Sequence, residues 1–135
     1  MGLIQSLFGV STDLASLVLR VAVGSLFVVH GYPKLTSQRK MGEQWMKSQG
    51  MPVGMILFGG VAEFFGGLGL LVGLLTPILA VLSAMWMLST TRFAMSKLKK
   101  KYAGGYELDI TLFLASLALA LLGSGAFSLD HFLGI

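Results

Sequence analysis

The stretch VGMILFGGVAEFFGGLGLLVGLL (Val53–Leu75) carries a single ionisable residue, Glu63, close to its middle. A helix rises about 1.5 Å per residue, so about 20 apolar residues cross a ~30 Å hydrocarbon layer. Val53–Leu75 has that length, and it has neither the alternation of a barrel strand nor the charge of a surface helix. Three further stretches read the same way: Leu14–Tyr32, Ile78–Met95 and Tyr106–Gly123. Composition agrees. Of 135 residues, 55% are apolar and 12% charged, whereas a soluble domain has about 25% charged residues and needs them to cover its surface. The sequence therefore predicts an all-α, single-domain membrane protein, residues 1–135, built as a four-helix transmembrane bundle.

The connections set the expected order. Thr76-Pro77 makes a short link between the second and third spans, because proline suits a first helical turn. Ala103-Gly104-Gly105 breaks the chain before the fourth. These links predict an up-down-up-down path. The longer connection, Pro33 to Pro52, holds Met41 and Trp45 four residues apart, with Arg39, Lys40, Glu43 and Lys47 around them. That pattern predicts a short amphipathic helix in the membrane interface. Lys34, Arg39, Lys40 and Lys47 follow span one, and Arg92, Lys97, Lys99, Lys100 and Lys101 sit at or after the end of span three. The bias of Lys and Arg puts both basic loops in the cytoplasm and both termini outside, in the cell (inner or plasma) membrane. Met1–Asp13 contains no Lys or Arg, so a secretory leader is not expected. The net charge of +4 sits in clusters beside apolar spans, which points to anionic lipid and not to nucleic acid.

Ionisable residues in a bilayer face the bundle interior and pair. Helix counting puts Arg20 and Glu63 on the order of 6 Å apart in depth, which predicts an Arg20–Glu63 pair. A second group is expected in the cytoplasmic half: His30 and Lys34 ending span one, Arg92 late in span three, and Glu107 and Asp109 opening span four, beside Tyr106. Arg20, His30, Glu63, Arg92, Tyr106, Glu107 and Asp109 form the candidate buried polar site, with Arg92 and Lys34 read as snorkelling or phosphate-contacting residues. Gly59, Gly60, Gly66 and Gly67 lie three or four residues from Glu63 and predict a close helix seam. The absence of cysteine removes thiol relays and thiolate metal sites from the chain, and His30 and His131 fall on opposite faces of the membrane. No metal site is expected, and no covalently bound cofactor.

The pattern Arg20-(x9)-His30-Gly31-(x2)-Lys34 resembles the first helix of the DoxX family of small bacterial and archaeal membrane proteins. Glu63-(x2)-Gly66-Gly67-(x5)-Gly73-Leu74-Leu75-Thr76 resembles its second helix. Gly104-Gly105-Tyr106-Glu107-Leu108 is similar to the start of its fourth, and Ser128-Leu129-Asp130 to its C-terminal end. The family takes its name from a membrane subunit of a thiosulfate:quinone oxidoreductase. The resemblance implies four transmembrane helices and a quinone-associated redox or accessory subunit of an oxidoreductase complex. Arg20, His30, Glu63, Tyr106 and Glu107 are the positions it carries over. Arg92 departs from it, standing where a histidine-bearing end is common. Two other functions compete: a small oligomeric proton-coupled transporter, and a structural or assembly partner without chemistry. The expected partners are the lipid bilayer, a quinone or lipid-like molecule, and either further copies of the chain or a membrane complex.

Overall fold

The computed structural model describes residues 2–3 and 11–135, and the described residues form helices and turns with no strand. Helix α1 (Thr12–Leu35) starts where the Ser11 hydroxyl accepts the Leu14 N–H and ends just beyond Pro33. Helix α2 (Arg39–Ser48) is the short helix expected between the first two spans. Helix α3 (Gly54–Val72) contains Glu63, and α4 (Thr76–Ser96) carries Pro77 in its first turn. A wide turn, Tyr102–Tyr106, departs from helical dihedrals at Ala103 and Gly104 and leads into α5 (Glu107–Leu122). A last turn of helix, α6 (Leu129–Leu133), closes the chain. Among the described residues, four stretches are long and apolar enough to cross a membrane: Thr12–Leu35, Gly54–Val72, Thr76–Ser96 and Tyr102–Leu122.

Two helix pairs make the bundle. Helix α1 packs most extensively on α3, and α4 on α5; the consecutive helices α3 and α4 touch far less. The α1–α3 seam is built on small residues. A Cβ on Gly24 would lie 2.8 Å from the Gly67 carbonyl oxygen, and one on Gly31 would lie 3.0 Å from that of Gly60. Such backbone approach needs glycine on both sides, and dispersion contact is what holds helices together where lipid is as apolar as the core. Gly24 facing Gly67 and Gly31 facing Gly60 make the pair antiparallel. Between the pairs sits a common core of Val23 and Phe27 from α1, Leu70 from α3, Ala80 and Met87 from α4, and Leu112 and Leu119 from α5. Outward positions such as Val29, Phe65, Ile78, Leu114 and Leu121 are apolar and exposed, as a lipid-facing surface requires.

Gly66 departs from the predicted seam. Nothing lies within 4 Å of the Cβ it lacks, because it faces a groove between α3 and α4 and not a neighbouring helix. Gly59 is a contact glycine of another sort, with the Trp86 ring 3.1 Å from its missing Cβ.

At one end of the bundle the backbone turns sharply from α3 into α4. The Leu74 N–H bonds to the Gly69 carbonyl and the Gly73 N–H to that of Leu70, the Schellman ending of a helix, with Gly73 at φ 72°. Leu75 is also left-handed, at φ 52°, a conformation costly for a residue with a branched side chain. It is held there by Asp130. One carboxylate oxygen accepts the Leu75 N–H at 2.6 Å, and the other accepts the Thr76 N–H at 2.8 Å. A carboxylate on the first amides of α4 also sits at the positive end of the helix dipole.

Candidate functional site

The predicted Arg20–Glu63 pair does not form. The observed α1–α3 register sets Glu63 level with Val28 and Arg20 level with Leu71, which separates them by eight residues of helix, about 12 Å. Arg20 is instead 1% exposed at the α3–α4 turn. Its guanidinium donates to the carbonyls of Leu71 and Phe127, and it lies within electrostatic range of Asp130. Gly73 makes room for it: an added Cβ there would come 2.5 Å from the guanidinium. The Ser16 hydroxyl donates to the Gly123 carbonyl at 2.6 Å in the same region, and the Asp13 carboxylate accepts the Ala126 N–H at 2.9 Å. Arg20 is thus a staple between α1, the turn and the C-terminal segment.

Glu63 takes its partners from the other direction. Lys34, the last ionisable residue of α1, donates to both carboxylate oxygens at 2.8 and 2.7 Å, and the Trp86 indole N–H donates to one of them at 2.9 Å. The Glu63 side chain is 5% exposed and that of Lys34 is 34% exposed. A two-pronged ammonium contact plus an indole donor satisfies a buried carboxylate on three sides without backbone help. The local sequence explains the geometry. Gly31, one turn before Lys34, lets α1 lie directly on the backbone of Phe64 and the Cβ of Glu63, and Gly59 lets Trp86 lie on α3.

This triad stands at the wall of a cavity of about 460 Å³ between the two helix pairs. His30, Lys100 and Asp109 share the cavity with Lys34 and Glu63; Phe27, Met55, Ile56, Met87 and Leu112 supply its apolar lining. Helix α2 lies against α3, with Gly42 on Ile56, and Trp45 and Met46 reach into the cavity mouth. The Trp45 ring meets Phe93 edge-on at 6.3 Å. Both basic stretches therefore gather at the cavity end of the bundle, opposite the Arg20 end.

The rest of the predicted group divides. Asp109 lines the cavity within electrostatic reach of Lys34, Glu63 and Lys100, and His30 stands at its rim, exposed. Glu107 does not join them: it is exposed, and its carboxylate accepts the Gly104 N–H at 3.1 Å, bracing the turn before α5. Equal depth put it beside His30 in the sequence reading, but helix rotation turns it away and presents Asp109, two residues on. Tyr106 stacks edge-on against Tyr102 at 5.6 Å, and Arg92 is exposed on the outer side of α4. Two central roles escaped the sequence reading. Lys34 was expected in the cytoplasmic-half group but as a snorkelling or phosphate-contacting residue, although α1 continues through Pro33 and carries it back over α3. Trp86 was passed over, although an indole N–H in mid-span needs an acceptor, and Glu63 was the carboxylate at hand. Among the described residues no three His, Asp or Glu side chains converge in a way suited to a metal ion.

These features describe a multi-pass membrane protein whose spans enclose a partly polar cavity around one buried ion pair. Residues 15–96 match the DoxX family, and the chain belongs to it. It is 35% identical over 122 residues to the Bacillus subtilis (strain 168) protein named "Putative oxidoreductase CatD", covering 90% of this chain and 89% of that protein. It is 32% identical over 126 residues to the "Inner membrane protein YqjF" of Escherichia coli (strain K12), covering 90% of this chain and 93% of that one. No solved structure matches it.

Proposed function

We propose that this chain is the quinone-holding membrane subunit of an oxidoreductase complex, and that the Lys34–Glu63–Trp86 triad is its head-group site. One observation carries the reading: a compensated ion pair, with one ammonium donor to spare, at the wall of a mostly apolar cavity of ligand size. An ammonium has three N–H donors. Two of Lys34's face Glu63, which leaves one for a carbonyl oxygen. Glu63 is a proton acceptor already in contact with that donor, and His30 and Asp109 extend titratable groups toward the cavity mouth. A quinone supplies two-electron, two-proton chemistry when bound. The chain's own residues orient the head, exclude lipid from it and hold the proton, while electrons pass to or from a partner subunit. The name of the Bacillus relative is in keeping with a redox role.

The test is quinone binding in lipid nanodiscs, read by quenching of Trp86 in a Trp45→Phe background. Decylubiquinone should quench saturably, and Lys34→Met or Glu63→Gln should weaken it by about tenfold or more, the worth of one charge-assisted hydrogen bond. Quenching that rises linearly with quinone content, unchanged in both variants, sinks the reading. Proton-coupled transport is favoured instead if quinone fails to bind and Glu63→Gln abolishes a proton flux in liposomes. An assembly role without chemistry is favoured if Glu63→Gln changes neither quinone binding nor proton flux and disturbs only the stability of a partner.

The proposed orientation places the cavity end, α2 and both basic stretches in the cytoplasm, the termini outside, and the helices up-down-up-down. Single cysteines at Lys99 and Ser124 should label from opposite sides of sealed vesicles. Labelling of Lys99 from the outside and Ser124 from the inside reverses the orientation, and labelling of both from one side overturns the topology.

A further inference from the structure

A second cavity, of about 470 Å³, lies between α3 and α4 on the bilayer side. It exists because these consecutive helices touch little along their length. Its walls are apolar: Phe58, Phe65 and Leu82 stand exposed along it, and Gly66 forms an open stretch with nothing where a side chain would be. Its inner end is not apolar. Phe27, Glu63, Trp86 and Ser89 line this groove and the central cavity alike, so the hydrogen-bonded Glu63–Trp86 pair, flanked by Phe27 and Ser89, stands between the lipid-side space and the polar one.

We infer that the α3–α4 groove is the seat and lateral access route of the tail of a neutral, single-tailed amphiphile whose head lies at the Lys34–Glu63 pair. The inference rests on the proposed quinone reading and adds the route and the class of ligand. Charge selects the occupant. Lys34 and Glu63 neutralise one another, so the inner end offers no net positive charge to the phosphate of a phospholipid, whereas a neutral carbonyl-bearing head fits the remaining donor. The groove meets the bilayer at Phe58 and Phe65, so a lipid-dissolved ligand need not cross the cytoplasmic mouth, which α2 covers with Trp45 and Met46. The indole of Trp86, packed on Gly59 and edge-on to Phe58 at 6.1 Å, is the wall the head has to move past.

Gly66→Leu tests this. A Cβ at Gly66 meets nothing within 4 Å, so the backbone need not move, and leucine favours a helix more than glycine does. In nanodiscs, with Trp86 as sole fluorophore, Gly66→Leu should weaken decylubiquinone binding about tenfold, the worth of roughly two displaced methylenes. Binding of the same quinone head without its tail should change by less than about twofold. Leu82→Phe, which crowds the groove from the opposite wall and adds no second indole, should repeat the selective loss. If the tailed quinone binds both variants as it binds the wild type, the groove is not its seat and the inference fails, while the head-group site stands. If neither quinone binds the wild type, the quinone reading falls first and takes the inference with it. Equal loss of tailed and tail-less quinone in both variants also overturns it. So does quenching of Trp86 by chain-brominated phosphatidylcholine that decylubiquinone cannot relieve, since the groove would then belong to a phospholipid.

Discussion

The two ends of the bundle each bury a charge, and they satisfy it in opposite ways. Arg20 spends its donors on the backbone carbonyls of Leu71 and Phe127, and Asp130 spends its acceptors on the backbone amides of Leu75 and Thr76. Those bonds cannot change partner without unmaking a turn, although the Arg20 Nε–H beside them has no partner among the described residues. Glu63 is held only by side chains, Lys34 and Trp86, beside open volume on two sides. Side chains change rotamer at little cost, while backbone partners move only with the fold. A buried charge tied to backbone is a staple; a buried charge tied to side chains next to a cavity is a place where chemistry can occur.

Arg20→Met should break the staple and show the largest effect. It strands two carbonyls and leaves Asp130 without its compensating charge, and loss of one partner from a buried ionic arrangement costs about 3–5 kcal/mol. Thermal unfolding in detergent should fall sharply while the wild-type Lys34–Glu63 site is untouched; a small shift would mean that water or lipid head groups reach this end. Gly73→Ala comes next, at about 2–3 kcal/mol, from left-handed strain together with a Cβ driven into the guanidinium. A wild-type melting curve for it would show that the turn is not fixed by Arg20. The sharpest division comes from two double-mutant cycles. Lys34→Met with Glu63→Gln should show coupling of about 1–2 kcal/mol, whereas Arg20→Met with Glu63→Gln should be additive within about 0.5 kcal/mol, since only the first pair is in contact. Coupling in the second cycle would join the two ends that the structure separates. Asp130→Asn, which keeps one acceptor on the α4 amides and loses the charge at the helix dipole, should cost about 1 kcal/mol. A cost near that of Arg20→Met would make the carboxylate, and not the guanidinium, the centre of the staple.

The four spans and the helix between the first two were legible because bilayer thickness and helix rise leave few alternatives for apolar stretches of this length. The site was legible only in part. Glu63 and Asp109 were placed by the cost of charge in hydrocarbon, and that reasoning holds wherever the helices lie; His30 lines the cavity but is itself exposed. Pairing is different, because it depends on register. Depth counting assumes that two spans are centred at the same height, and the α1–α3 register, fixed by Gly24 on Gly67 and Gly31 on Gly60, offsets that assumption by about a turn. A shift of one turn was enough to exchange Arg20 for Lys34 as the partner of Glu63. Rotation about the helix axis accounts for Glu107 and Gly66: each lies at the expected height and faces another way. Counting along the chain carries no information about rotation when the spans are apolar all round.

Asp130 also has a bearing on biogenesis. The amides that it caps precede it by 54 and 55 residues, so the turn between α3 and α4 is made, and both helices can enter the bilayer, well before its carboxylate is synthesised. Until then Leu75 has no acceptor to hold its left-handed backbone. The hairpin is completed by the C-terminal segment returning to it, which makes closure of this end a late step in assembly. A nascent chain stalled before Ser128 would present the insertion machinery with spans already in place and the fastening between them still missing.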